Sequence, residues 1–124
     1  MKSVCVIDDD PILQKIMSRM IQNFDESLEI SSFQDGQNAI DQLAKKDKLP
    51  DLIFLDINMP KMDAWGFLDE LDKITSEDLP IYILTSSIDQ RDIDKADSIS
   101  RVKKYLIKPM KKQELHDICA LELG

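Results

Sequence analysis

Glycine and histidine are scarce in this chain, and both absences exclude chemistry. Its 124 residues contain three glycines, Gly36, Gly66 and Gly124. Neither a phosphate-cradling G-x-x-x-x-G-K-[ST] loop nor a G-x-G-x-x-G dinucleotide turn can be written with them. The only histidine is His116. A metal site using two histidines of one chain is excluded, and a Ser-His-Asp triad would have to use that one residue. Cysteine is limited to Cys5 and Cys119, near opposite ends of the chain. Reduced core thiols are expected of them rather than a disulfide, because a chain of this length can hold a core without staples. No apolar run approaches the ~18 residues of a membrane span. The first residues, Met1-Lys2-Ser3-Val4-Cys5-Val6-Ile7, run into three acids and do not read as a signal peptide. A cytoplasmic location without membrane insertion is the expectation. Positive charge is also lacking, with 24 acids against 16 bases and a net charge of -8. Such a surface repels phosphate backbones, so direct nucleic-acid binding is not expected.

What is present is the composition of an ordinary soluble domain, 43% apolar and 32% charged. Short apolar runs alternate with amphipathic stretches. Val4-Cys5-Val6-Ile7 is a run of strand formers that stops at Asp8. Asp10-Pro11 then reads as a helix start, with Asp as N-cap and Pro in the first turn. Ile12, Leu13, Ile16, Met17, Met20, Ile21 and Phe24 form its apolar stripe. Leu28 to Phe33 predicts a second strand, and Asp35-Gly36 opens a helix carrying Ala39, Ile40 and Leu43. Leu52-Ile53-Phe54-Leu55 predicts a strand buried on both faces and ending at Asp56. A loop from Asn58 to Asp63 leads to a helix over 65–74. Ile81-Tyr82-Ile83-Leu84 predicts the fourth strand and 89–99 a polar helix. Tyr105-Leu106-Ile107 predicts the fifth strand, ending at Lys108-Pro109, and 113–123 the last helix. Strict alternation of five strands and five helices means an α/β fold, a doubly wound parallel sheet with right-handed crossovers. Residues 1–124 are expected to be a single domain with no second, output domain.

In such a sheet, ligands bind beyond the carboxyl ends of the strands. The first strand delivers Asp8, Asp9 and Asp10 there, the third Asp56, the fourth Thr85 and Ser86, and the fifth Lys108. With strand order 2-1-3-4-5 and a spacing of ~4.8 Å, Asp56 faces the Asp8/Asp9 pair on one side and Thr85 on the other. Lys108 starts roughly 10 Å from Asp56, a gap that its flexible stem largely covers. Carboxylates gathered in one pocket repel each other unless they take up protons or a cation. All-oxygen ligands with an open face suit Mg²⁺. A carboxylate beside Mg²⁺, an ammonium and a hydroxyl is a good phosphoryl acceptor, and Asp56 would be the nucleophile forming an acyl phosphate.

Four segments carry a specific likeness: Val6-Ile7-Asp8-Asp9-Asp10-Pro11, Leu55 to Asp63, Leu84-Thr85-Ser86, and Tyr105-Leu106-Ile107-Lys108-Pro109. In this order and spacing the chain resembles, over essentially its whole length, the receiver domain of two-component response regulators. The resemblance implies a flavodoxin-like sheet of order 2-1-3-4-5 and a phosphoacceptor at Asp56. It implies Mg²⁺ bound by Asp9, Asp56 and the main-chain carbonyl of Asn58, with Asp8 acting mainly through water. It further implies that Thr85 bonds the phosphoryl group and moves on activation, that Tyr105 follows it inward, and that Lys108 pairs with the phosphate. The Lys108-Pro109 peptide is usually cis in the family, and Asp10 fits better as a helix cap than as a ligand. The implied partners are a histidine kinase or histidine phosphotransfer protein and a downstream protein target.

The chain departs from the family pattern at Ala64, where Gly is usual, at Gly66, where Glu is frequent, and at Met110, where Phe is common. Asn58 and Ser87 occupy the positions that tune dephosphorylation. The stretch Ser98 to Lys104 lacks the usual Gly-containing turn before the fifth strand. Two other functions compete. One is an aspartate-based phosphatase of the haloacid-dehalogenase type, built on Asp8-x-Asp10; it leaves Asp56 unexplained. The other is a degenerate receiver that acts only as a binding module. His116 reads as a solvated or half-packed helix residue rather than a phosphorelay histidine. Trp65 fits either a partner contact or a loop anchor, and the six methionines read as core or gap-filling residues.

Overall fold

The computed structural model describes residues 2–45 and 47–124. Five strands alternate with five helices: β1 Ser3–Ile7, α1 Pro11–Phe24, β2 Glu29–Phe33, α2 Gly36–Leu43, β3 Leu52–Leu55, α3 Ala64–Ile74, β4 Ile81–Thr85, α4 Gln90–Asp97, β5 Val102–Ile107 and α5 Lys112–Leu123. The strands form one parallel sheet in the order β2-β1-β3-β4-β5. This is the expected order, and it puts the ends of β1 and β3 side by side.

Continuous apolar strands follow from cover on both faces. Along β1, Cys5 and Ile7 face one apolar cluster, with Ala39, Leu43, Phe67 and Leu71 of α2 and α3. Val4 and Val6 face the other, with Met17 and Ile21 of α1 and Leu115, Ile118 and Cys119 of α5. β3 and β4 alternate in the same way, Ile53, Leu55, Ile81 and Ile83 to the first cluster and Leu52, Phe54, Tyr82 and Leu84 to the second. The two cysteines are both buried, and the sheet lies between them. Of the six methionines, Met1 lies outside the described residues. The other five are buried or pack against one of the two clusters.

Four of the acids start helices. Asp10, Asp35, Asp63 and Asp89 are N-caps. Asp10 Oδ1 accepts from the backbone N–H of Ile12 at 2.9 Å and of Leu13 at 3.3 Å, as expected of a cap. α5 has no side-chain cap of that kind; Glu114 accepts from the Lys111 N–H at 3.3 Å instead.

Two expectations need correction. β5 begins at Val102, three residues earlier than the apolar run. Ile81 pairs with Val102 but Tyr82 with Lys104, so Lys103 is an extra residue in the ladder. That irregularity, with Lys103 and Lys104 exposed on an edge strand, erases the apolar signal. The inner stripe of α1 also differs. Ile12 and Ile16 are exposed, at 69% and 51%, whereas Gln14 is buried. Gln14, Met17 and Ile21 follow i, i+3, i+7 spacing. Among the described residues no helix is long and apolar enough to cross a membrane.

Candidate functional site

The parallel register carries the ends of β1 and β3 to the same level, since Ile7 pairs with Leu55. The next residue of each strand is an aspartate. The Asp56 N–H donates to the Ile7 carbonyl at 3.0 Å and the Asp8 N–H to the Phe33 carbonyl at 3.0 Å. Both aspartates are therefore held by their main chain at the sheet end. Asp8 is 2% exposed and Asp56 7%. Asp9 is exposed at the rim.

Lys108 reaches this pair from the end of β5, where its own N–H donates to the Thr85 carbonyl at 2.9 Å. Its Nζ lies 2.8 Å from Asp8 Oδ2 and 3.3 Å from Asp56 Oδ2. The second oxygens are held by backbone: Asp8 Oδ1 accepts from Asp10 N–H at 2.9 Å, and Asp56 Oδ1 from Ile57 N–H at 2.8 Å. Burial pushes the Asp8 carboxyl above the usual carboxylate range, against the pull of Lys108 and the Asp10 N–H. Burial draws the Lys108 ammonium down, but Asp8 and Asp56 more than offset it, so it stays charged above its ordinary value. The Lys108-Pro109 peptide is cis.

Thr85 ends β4 beside Asp56 and is 1% exposed. Its Oγ1 accepts from Ser87 N–H at 3.3 Å. Ser87 also binds two other elements. Its carbonyl accepts from the Tyr105 hydroxyl at 2.9 Å, and its own hydroxyl donates to Asp92 of α4 at 2.8 Å. Tyr105 thus contacts the loop after Thr85 through one serine. The sequence singled out Ser87 only as a tuning position and held no sign of these bonds, because two of them use its backbone.

The loop after Asp56 is fixed by close packing. Asn58 is exposed at its start and Lys61 has a positive φ of 69°. A Cβ added at Gly36 would come within 2.9 Å of the Met62 carbonyl, and one at Gly66 within 3.1 Å of Met62 Cγ. Gly36 and Gly66 thus allow the loop to lie against α2 and α3, and Ala64 is wholly buried beside them. Trp65 is half-buried against the first cluster, with Lys95 Nζ 5.3 Å from its ring centre. It anchors α3 to α4. His116 is half-buried, its ring 5.5 Å from that of Phe24 and its Nε2 enclosed with no hydrogen-bond partner among the described residues.

Sequence reasoning passed over Gln14. Its amide donates to the Asp8 carbonyl at 2.9 Å and to the Phe33 carbonyl at 2.7 Å. The signal was its place at i-3 from Met17, on the buried face of α1.

The profile of the response regulator receiver domain matches residues 4–120. The chain belongs to the response regulator receiver family. Receivers are signalling domains that take phosphoryl groups from histidine kinases or phosphotransfer proteins. This receiver is 32% identical over 123 residues to a two-component response regulator of Oryza sativa subsp. japonica, with 93% of this chain and 19% of that protein covered. It is 29% identical over 114 residues to the nitrate/nitrite response regulator protein NarL of Escherichia coli K12, with 91% and 50% covered. A crystal structure of a two-component response regulator from Cytophaga hutchinsonii matches with a TM-score of 0.80 at 30% identity, covering 99% of this chain and 97% of that one. The receiver spans between 19% and 50% of the length of these curated relatives. The match over residues 4–120 displaces the haloacid-dehalogenase reading.

The acidic cluster suits the divalent cation typical of receivers. Asp8, Asp9 and Asp56 each offer a carboxylate oxygen, all within 4.8 Å of one another. Hard oxygen donors, one of them on the exposed rim, are a donor set for Mg²⁺ with room for water and phosphate oxygens.

Proposed function

We propose that this receiver accepts a phosphoryl group on Asp56 and signals through a phosphorylation-dependent change of its surface. The donor is the phosphohistidine of a histidine kinase or histidine phosphotransfer protein. The observation that carries the reading is the Lys108 ammonium at 2.8 Å from Asp8 and 3.3 Å from Asp56, beside a three-carboxylate cluster. A structural ion pair needs one acid; here two buried acids share one base, and a third acid lies beside them.

In the transfer, an Asp56 carboxylate oxygen attacks phosphorus as the N–P bond of the donor breaks. The imidazole nitrogen keeps the electron pair and takes a proton from solvent. Asp56 becomes an acyl phosphate. Lys108 stabilises charge on the transferring group, and the Thr85 hydroxyl donates to a phosphoryl oxygen. Asp8, Asp9, Asp56 and the Asn58 main-chain carbonyl would hold Mg²⁺, which supplies further charge neutralisation when bound. Water attack on phosphorus later returns the carboxylate and releases phosphate.

A Thr85 hydroxyl drawn toward a phosphoryl group on Asp56 pulls on the Ser87 N–H from which it accepts. Ser87 is tied to Tyr105 and to Asp92, so that motion biases the β4–α4 loop and the β5 edge together. The signal then passes to a downstream protein that binds this surface.

Intact-protein mass after incubation with phosphoramidate tests the reading, with and without Mg²⁺, on wild type and Asp56→Asn. The expected result is one Mg²⁺-dependent phosphoryl adduct on wild type and none on the variant. Equal labelling of the variant would refute Asp56 as acceptor. No adduct on wild type under any condition would leave a binding module.

A further inference from the structure

Among the described residues, four polar or charged side chains are buried: Asp8, Asp56, Thr85 and Gln14. The first three belong to the proposed phosphoryl chemistry. Gln14 touches neither a carboxylate nor Thr85 in any bond described above, yet it is buried at the same end of the sheet.

Its amide closes a three-way junction. β1 ends at Ile7 and β2 at Phe33, and the Asp8 N–H still reaches the Phe33 carbonyl. Beyond this bond the two chains diverge, Asp8 into the acidic loop and Phe33 toward α2. The carbonyls of Asp8 and Phe33 have no further strand to pair with at this point. Both hydrogens of the Gln14 side-chain NH₂ go to them, at 2.9 Å and 2.7 Å. The helix carrying Gln14 is capped by Asp10 of the same loop. The loop is therefore held twice, by the cap at its far end and by Gln14 at its near end.

We infer that Gln14 is a positioning residue: by pinning the Asp8 peptide to β2, it holds Asp8 and Asp9 where they share a divalent cation with Asp56. The inference rests on the reading of the cluster as a Mg²⁺ site. Its physical basis is repulsion. Gathered carboxylates push apart, and the loop that carries two of them yields unless its backbone is anchored. With the Asp8 carbonyl freed, the Asp8–Asp9 peptide can rotate although the Asp8 N–H still holds Phe33, and Asp9 turns with it. Groups that orient metal ligands commonly alter metal affinity by about tenfold or more when removed.

The test titrates Mg²⁺ calorimetrically into wild type, Gln14→Met, Gln14→Asn and Met17→Ala, and follows phosphoramidate labelling against Mg²⁺ concentration. Methionine keeps the length and loses both donors. Asparagine keeps the amide but is too short to reach both carbonyls. Met17→Ala opens a cavity on the same buried face without touching the loop. For Gln14→Met the expected result is a Mg²⁺ Kd raised about tenfold. The half-saturating Mg²⁺ in labelling should rise equally, with the rate at saturating Mg²⁺ nearly unchanged. Gln14→Asn should lie between this and wild type, and it decides the matter if Gln14→Met fails to fold. Met17→Ala should lower Tm and leave Kd alone. Wild-type Kd in a folded Gln14 variant, or an equal rise in Met17→Ala, overturns the inference while leaving the Mg²⁺ site intact. A wild type that binds no Mg²⁺ overturns the site reading, and this inference with it.

Discussion

The two ends of the sheet treat polar side chains in opposite ways. At the amino-terminal end Tyr82, Arg101 and Asp51 each have partners of their own. The Tyr82 hydroxyl donates to Glu122 at 2.5 Å. Arg101 donates to Asp72 at 3.2 Å and to the carbonyls of Glu77 and Thr75 at 2.7 and 3.2 Å, closing the end of α3. Asp51 accepts from the Ser3 N–H at 2.8 Å. At the carboxyl-terminal end, two buried acids share one ammonium and a third acid stands beside them. The contrast separates groups that complete the fold from groups that the proposed phosphoryl transfer uses. Stability should therefore be lost by changes at the first end, and chemistry by changes at the second.

The largest test of that division is Lys108→Met. Phosphoramidate labelling at saturating Mg²⁺ should slow by about 100-fold, as when one preorganised charge partner is removed from a transition state. The circular dichroism spectrum should stay that of wild type. Next in size is Arg101→Met, which leaves the Thr75 and Glu77 carbonyls without their donor. A loss of about 2 kcal/mol in urea unfolding is expected, with the labelling rate unchanged. A labelling defect in that variant would break the comparison. The smallest effect is Tyr82→Phe, costing about 1 kcal/mol at pH 7. Burial, then the bond to Glu122, raises the Tyr82 hydroxyl well above its ordinary value of 10.0. A raised pKa gives stability that is complete below the unfolded value and lost as pH rises through the folded one. The gap between wild type and Tyr82→Phe should therefore shrink, then reverse, as urea unfolding is repeated at increasing pH above about 10. A gap constant with pH would mean that the hydroxyl ionises alike in the folded and unfolded chain, with neither burial nor Glu122 acting on it.

Most of the fold was legible because a doubly covered parallel sheet writes its strands as unbroken apolar runs. Leu52 to Leu55 could be nothing else once a helix was excluded by length. β5 was the exception. It lies at the edge, is interrupted at Lys103, and exposes two lysines, so half of it carries no apolar signal. The end-of-strand rule located Asp8, Asp56, Thr85 and Lys108 because each follows its run directly. Gln14 and Ser87 escaped it for one reason: they act on backbone groups, and the sequence does not print where a carbonyl is left without a strand. Ile12 and Ile16 misled in the opposite direction, since residue type was read as burial where helical phase decides it.

The placement of the two cysteines gives this molecule a pair of built-in clocks. Cys5 is enclosed by the layer that includes α2 and α3, Cys119 by the layer that includes α1 and α5. A thiol reagent can reach either sulfur only when that layer lifts, so each reaction rate times the opening of one side of the sheet. Equal rates would mean that the protein opens as a unit. Unequal rates would rank the two layers by how often each comes away while the other stays closed.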